Sequence, residues 1–196
     1  MLDQTESQNA SPITEQDRQW LLSFARESIE AGLFTRSHAP LPQRDVSSAL
    51  QEERAAFVTL HVGGALHGCI GSLEPRYPLF VEVWRNAASA AFSDPRFPAL
   101  TKAEWPDATL HISVLERPQP LRADSEQALL HQLRPGVDGL VLELNGARVT
   151  FLPSVWEQLP SPEQFLAHLK AKAGWPATFW SSQMQAWRYG TESFGE

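Results

Sequence analysis

The stretch AAFVTLHVGGALHGCIGSL, residues 55–73, decides the fold. Gly63-Gly64 divides it into two strand-like runs, and such a pair supplies the positive φ that a two-residue hairpin turn requires. A second stretch, GLVLELNGARVTFLPSVW (139–156), turns at Asn145-Gly146, the strongest short hairpin signal in the chain. Laying Gly64 on Gly146 brings Leu60 onto Leu142, Val62 onto Leu144, Ala65 onto Ala147 and Ser72 onto Ser154. The same overlay sets Cys69 on Phe151 and Gly68 on Thr150. Each hairpin precedes a helical stretch and, later, another strand. The pattern is that of a duplicated unit. The expected class is α+β, with two related halves completing one antiparallel sheet and helices packed on it.

Working outward, ITEQDRQWLLSFARESIEAGL reads as a helix over 14–32. Thr14 and Asp17 form its capping box, and Trp20, Leu21, Phe24 and Ile29 recur at roughly helical spacing. The stretch from Phe34 to Glu53 carries Pro40 and Pro42 without a clear period and reads as an extended loop. From Pro78, PLFVEVWRNAASAAFSD is a helix that Asp94-Pro95 ends. ATLHISVLER is a strand whose Leu110, Ile112 and Val114 share one face. SEQALLHQLR and SPEQFLAHLKAKAG are helices, and AWRYGTESF reads as one last strand. Residues 1–12 form a polar tail. Residues 13–196 form a single domain whose halves run over about 50–125 and 126–196, preceded by the helix at 14–32.

Charge and composition narrow the function classes. Sixteen Lys+Arg against 23 Asp+Glu give a formal charge of −7, with no basic cluster, which argues against a nucleic-acid partner. No apolar run approaches the roughly 20 residues that span a bilayer, and the N-terminus lacks a signal-peptide layout. A single cysteine forms no internal disulfide, so the expected compartment is a reducing cytoplasm. No HxH, HExxH or CxxC spacing is present, so no metal site is expected, and no nucleotide or hydrolase motif appears. No cofactor is implied.

Five motifs, LHGCIGSLEP, NAASAAFSDPRFPAL, DGLVLE, FLPSVWEQLP and FLAHLKAKAG, occur in an order and spacing that resemble the AMMECR-domain family, also called AmmeMemoRadiSam system protein A. The resemblance runs from about residue 14 to the end. It implies two repeats of three strands, two helices and a strand in one antiparallel sheet. It also implies association with a Memo-like protein and a radical SAM enzyme, and no defined reaction. The family's six-residue hallmark, LRGCIG, matches Leu66 to Gly71 with His67 in place of Arg. A guanidinium is permanently charged and grips a carboxylate in a fork; an imidazole does not do so reliably near neutral pH.

The candidate chemistry gathers at Cys69. His67 is expected on the same strand face two residues before it. A two-residue turn pairs Leu60 with His67 and Val58 with Cys69. Cys69, His67 and Glu74 are the candidate catalytic residues; Gly68, Gly71, Asp94 and Arg96 are the candidate ligand-binding ones. Two glycines within four strand positions leave room either for a ligand, in a cleft with Cys69 on its floor, or for another backbone. Asp94 and Arg96 pair either as a structural lock or at the rim of a site. His61 and His111 are expected at partly exposed strand positions. Trp175, Trp180 and Trp187 read as packing. Two readings stay open. In one, the Cys69 thiol acts on a small carbonyl-type substrate, assisted by His67, Glu74 or Arg96. In the other, the protein is an accessory module that binds a small ligand or docks partner proteins.

Overall fold

The computed structural model describes residues 11–34 and 38–196. Eight strands and five helices are present among them, in an α+β arrangement of two four-stranded antiparallel sheets. The strands therefore form two sheets and not the single one expected. The chain divides into two compact units, one of 1–115 with 192–196 and one of 116–191. All but two residues of the expected tail, Ser11 and Pro12, lie outside the described residues, as does part of the expected loop.

In the first unit the sheet order is β2-β1-β3-β8, with β1 at Ala56–Val62, β2 at Ala65–Gly71, β3 at Ala108–Leu115 and β8 at Thr191–Gly195. Alternation decides the faces. Ala56, Val58, Leu60, Leu110, Ile112 and Val114 are buried in one cluster with residues of helices α1 (Glu15–Gly32) and α3 (Leu79–Phe92). The opposite face carries Thr59, His61, Thr109, His111 and Ser113, each at least partly exposed. The α1 capping box forms as the sequence implies, with Thr14 Oγ1 accepting from Asp17 N–H and the Asp17 carboxylate accepting from Thr14 N–H. Ser28 Oγ donates to Trp84 O at 2.7 Å and ties α1 to α3. A short helix, α2 (Ser48–Gln51), interrupts the stretch read as a loop.

The second unit's sheet runs β4-β7-β5-β6, with β4 at Gln119–Leu121, β5 at Gly139–Leu144, β6 at Ala147–Phe151 and β7 at Gln185–Tyr189. Its core gathers Leu140, Leu142, Trp156, Phe165, Leu166 and Leu169 with α5 (Pro162–Lys172), and Leu129 from α4 (Glu126–Leu130). Trp175 and Trp180 pack against that cluster. Lys170, fully buried, donates to Glu126 at 2.9 Å and to the carbonyls of Phe179 and Ala177, so its charge is paired and its donors are used.

Both units follow the same order of hairpin, helix and a strand that returns beside the hairpin's first strand. The fourth strand of each sheet comes from elsewhere. β4 follows β3 in the chain but joins β7, and β8 follows β7 but joins β3. The run read as one last strand is thus two, broken at Gly190, where the chain changes sheets.

Candidate functional site

The first hairpin is not a plain two-residue hairpin. His61 opposes Leu66, but Leu60 opposes Gly68, so His67 is an extra residue, a bulge in β2. The bulge corrects three expectations. Cys69 opposes Thr59 and not Val58, and His67 has no partner at Leu60. His67 also leaves the face that carries Cys69, because the i, i+2 rule fails across a bulge. Its ring is buried and lies near-parallel to Phe97, with centroids 6.3 Å apart, and its Nε2 has no hydrogen-bond partner. Finally, the second hairpin has no bulge, since Leu142 opposes Val149 and Val141 opposes Thr150. The register-equivalent of Cys69 is therefore Thr150, one residue before the Phe151 of the sequence overlay.

The half-buried Cys69 side chain lies on the Thr59 face of the sheet, and Thr59 Oγ1 donates to its Sγ at 3.3 Å. Its backbone faces the other way, out of the edge of the sheet. There Cys69 N–H donates to Asp94 at 2.9 Å and Cys69 O accepts from Arg96 Nη2 at 3.3 Å. Asp94 follows the end of α3. Its carboxylate also accepts from Arg96 N–H, Nε and Nη2, the last at 2.7 Å. The Arg96 guanidinium holds the Asp94 carboxyl well below the usual carboxylate range; burial opposes this, and the N–H groups of Cys69 and Arg96 reinforce it. The Asp94 side chain is 2 % exposed and that of Arg96 57 %. This is the lock between helix end and strand. It occupies both outward backbone groups of an edge-strand residue, which stops another strand from pairing there. In the second unit Lys172 Nζ donates to Thr150 O at 3.0 Å, so a cation takes the carbonyl of the equivalent edge residue.

The two glycines are explained by close approach. A Cβ on Gly68 would strike the carbonyl oxygen of Ala90 in α3, and one on Gly71 would strike Ala56 O and the Phe57 ring. The alanines at 87, 88, 90 and 91 leave α3 a thin flank, and Gly68 lets that flank lie directly on β2. Glu74 sits in the exposed loop after β2 and pairs with Arg76 at 3.6 Å. The structure thus brings Asp94 and Arg96 to the backbone of Cys69, while His67 and Glu74 engage other partners.

Two features escaped the sequence reading. Thr59 was hidden because the bulge shifts the register by one. A buried polar cluster also lies beyond the end of β2, where Ser72 Oγ donates to Glu82 at 2.7 Å and Asn86 Nδ2 reaches both Glu82 and Ala56 O. Its signal was a Glu and an Asn four residues apart, Glu82 and Asn86, on the same helix face as the apolar Leu79, Val83 and Ala90.

The AMMECR1 family model matches residues 22–194. The chain belongs to the AMMECR1 family. It is 35% identical to a protein of Methanothermobacter thermautotrophicus, over 95% of this chain and 97% of that one. Protein MJ0810 of Methanocaldococcus jannaschii is 31% identical, with 94% and 92% covered. The crystal structure of uncharacterized protein PH0010 from Pyrococcus horikoshii superposes with a TM-score of 0.79 at 31% identity, covering 94% of this chain and 93% of that one. The AMMECR1 assignment agrees with the resemblance carried by the five motifs, and within LHGCIG it is His67 that forms the bulge. No helix among the described residues is long and apolar enough to cross a membrane.

Proposed function

We propose that this AMMECR1-family protein is a non-catalytic accessory module that holds a small ligand or docks a Memo-like protein and a radical SAM enzyme. One observation carries the reading. Among the described residues, the side chain hydrogen-bonded to the Cys69 thiol is the Thr59 hydroxyl, and a hydroxyl is not a base at neutral pH. The family resemblance supports the two partners. The test is affinity recovery of tagged wild-type and Cys69→Ser protein from the native host under gentle, low-salt conditions. Both forms are expected to retain the same Memo-like or radical SAM partner. Recovery of neither partner with the wild type counts against docking.

A second reading is favoured by the position of the thiol, which is half-buried on the face of the sheet that its helices leave uncovered. On that reading Cys69 attacks a small carbonyl-type substrate. Loss of cellular function in Cys69→Ser with partner recovery intact would favour it.

A further inference from the structure

The two sheets end on β2, β8, β4 and β6, and three of these edges are blunted against a further strand. At β2, Asp94 and Arg96 take both outward backbone groups of Cys69. At β6, Lys172 takes the carbonyl of Thr150. β4 is three residues long and holds Pro120, which has no N–H to give. β8 has none of these devices, and its register shows which groups it leaves free. Glu116 N–H donates to Gly190 O at 2.9 Å, and Glu196 N–H donates to Leu110 O at 3.1 Å. Between these ends Ser193 meets Ser113 through hydroxyls 2.9 Å apart, and Gly195 lies against the His111 ring. Residues 190, 192, 194 and 196 therefore turn their backbone groups toward β3. Those of Thr191, Ser193 and Gly195 point the other way, out of the sheet. Ser193 and Gly195 are exposed, and among the described residues no group bonds to their outward N–H or C=O.

We propose that β8 pairs with β8 of a second copy of this chain, antiparallel about a two-fold axis at Ser193. The segment TESFG is complementary to itself in that register. The two Ser193 residues exchange both of their outward backbone bonds, and each Thr191 does the same with the other copy's Gly195. Charge fits as well. Glu192 comes to lie opposite Phe194 of the other copy, and Phe194 already carries a cation: Arg18 stands 6.0 Å from its ring and pairs with Glu192 at 2.7 Å. Two guanidinium and two carboxylate groups then meet with opposite signs adjacent, and no like charges stand directly opposite. An extended segment of a different protein would find the same free backbone groups, but β8 holds nothing that selects such a sequence. The two-fold register is supplied by the strand's own residues. A ladder of five residues runs only about 17 Å, so the dimer belongs to the small-interface, reversible class. The inference is independent of the accessory-module reading.

The test is sedimentation equilibrium of the full, tag-free chain over a concentration series up to about 1 mM, the weak end of specific association. A monomer–dimer equilibrium is expected. Ser193→Pro removes an N–H that points away from β3 and, within the chain, gives up only the exposed contact with the Ser113 hydroxyl. It should weaken dimerisation by about tenfold or more, since one backbone bond is lost from each copy. Should that variant fail to fold, amide hydrogen exchange of the wild type decides. The Ser193 and Gly195 amides should exchange fast in dilute solution and slow down as concentration rises, while the Phe194 amide, turned toward β3, stays slow throughout. A chain that remains monomeric across the series overturns the proposal. So does a dimer in which the Ser193 and Gly195 amides stay fast. Protection of these amides only on adding a different protein also overturns it, and would make β8 a docking edge for another chain. Partner recovery is read separately, so a monomeric chain removes this inference without touching the docking result.

Discussion

Gly68 has a fixed reason to be glycine. Adding a methyl group there drives it into the Ala90 carbonyl, and backbone cannot step aside as a side-chain tip can. Gly68→Ala is expected to destabilise the protein by about 1–3 kcal/mol in urea unfolding. A change within about 0.5 kcal/mol, the scatter of ordinary surface substitutions, would mean that α3 does not lie on β2 as described. Asp94 makes a second residue-scale prediction. Its carboxyl is depressed in the folded state, so its contribution is fully present above the unfolded carboxyl value, near 3.9, and is lost as pH falls below it. Asp94→Asn should cost about 1–3 kcal/mol at neutral pH, because a buried acceptor of charged donors is lost. The gap between wild type and variant should narrow as pH drops below about 4. A gap that stays constant through that window would contradict the Arg96 pairing.

Elements were legible where their causes are local. Both hairpin turns sit at the expected residues, with positive φ at Gly63 and Gly64 (56° and 81°) and at Asn145 and Gly146 (52° and 80°). The Thr14–Asp17 box and the Ser161 cap, whose Oγ accepts from Gln164 N–H, likewise follow from neighbours in sequence. What was not legible depends on distant partners. Nothing in LHGCIG marks His67 as an extra residue; the bulge lets Gly68 meet α3 while Cys69 turns toward Thr59. One residue of slip was enough to move His67 off the thiol's face and to hide Thr59. The change of sheet at Gly190 was equally silent, because AWRYGTESF has strand character throughout. The turn geometry makes its own prediction. Asn145→Ala should cost about 1 kcal/mol by thermal unfolding, since alanine lacks the local polar contact that eases a left-handed conformation, and Asn145→Gly should be tolerated. Equal stability of the two variants would argue against that turn.

At the scale of the whole molecule, the first unit is not a continuous segment, because 192–196 return to its sheet. β8 borders β3, Glu192 pairs with Arg18 at 2.7 Å and Glu196 with Arg26 at 2.8 Å. Truncation after Gly190 is therefore expected to speed amide hydrogen exchange in β3, leaving the amides shared by β5 and β7 protected. Faster exchange in β5 and slow exchange in β3 would contradict the assignment of β8.

Among the described residues, the side chain hydrogen-bonded to the Cys69 thiol is the Thr59 hydroxyl, and the accessory-module proposal rests on that partner. The most direct test is the rate of iodoacetamide alkylation of the native protein at neutral pH, set against that of a free small-molecule thiol and of the denatured chain. A half-buried thiol with the Thr59 hydroxyl as its partner should react more slowly than either reference. Alkylation of native Cys69 tenfold or more faster than the free thiol would overturn the accessory-module proposal and make the thiol a nucleophile.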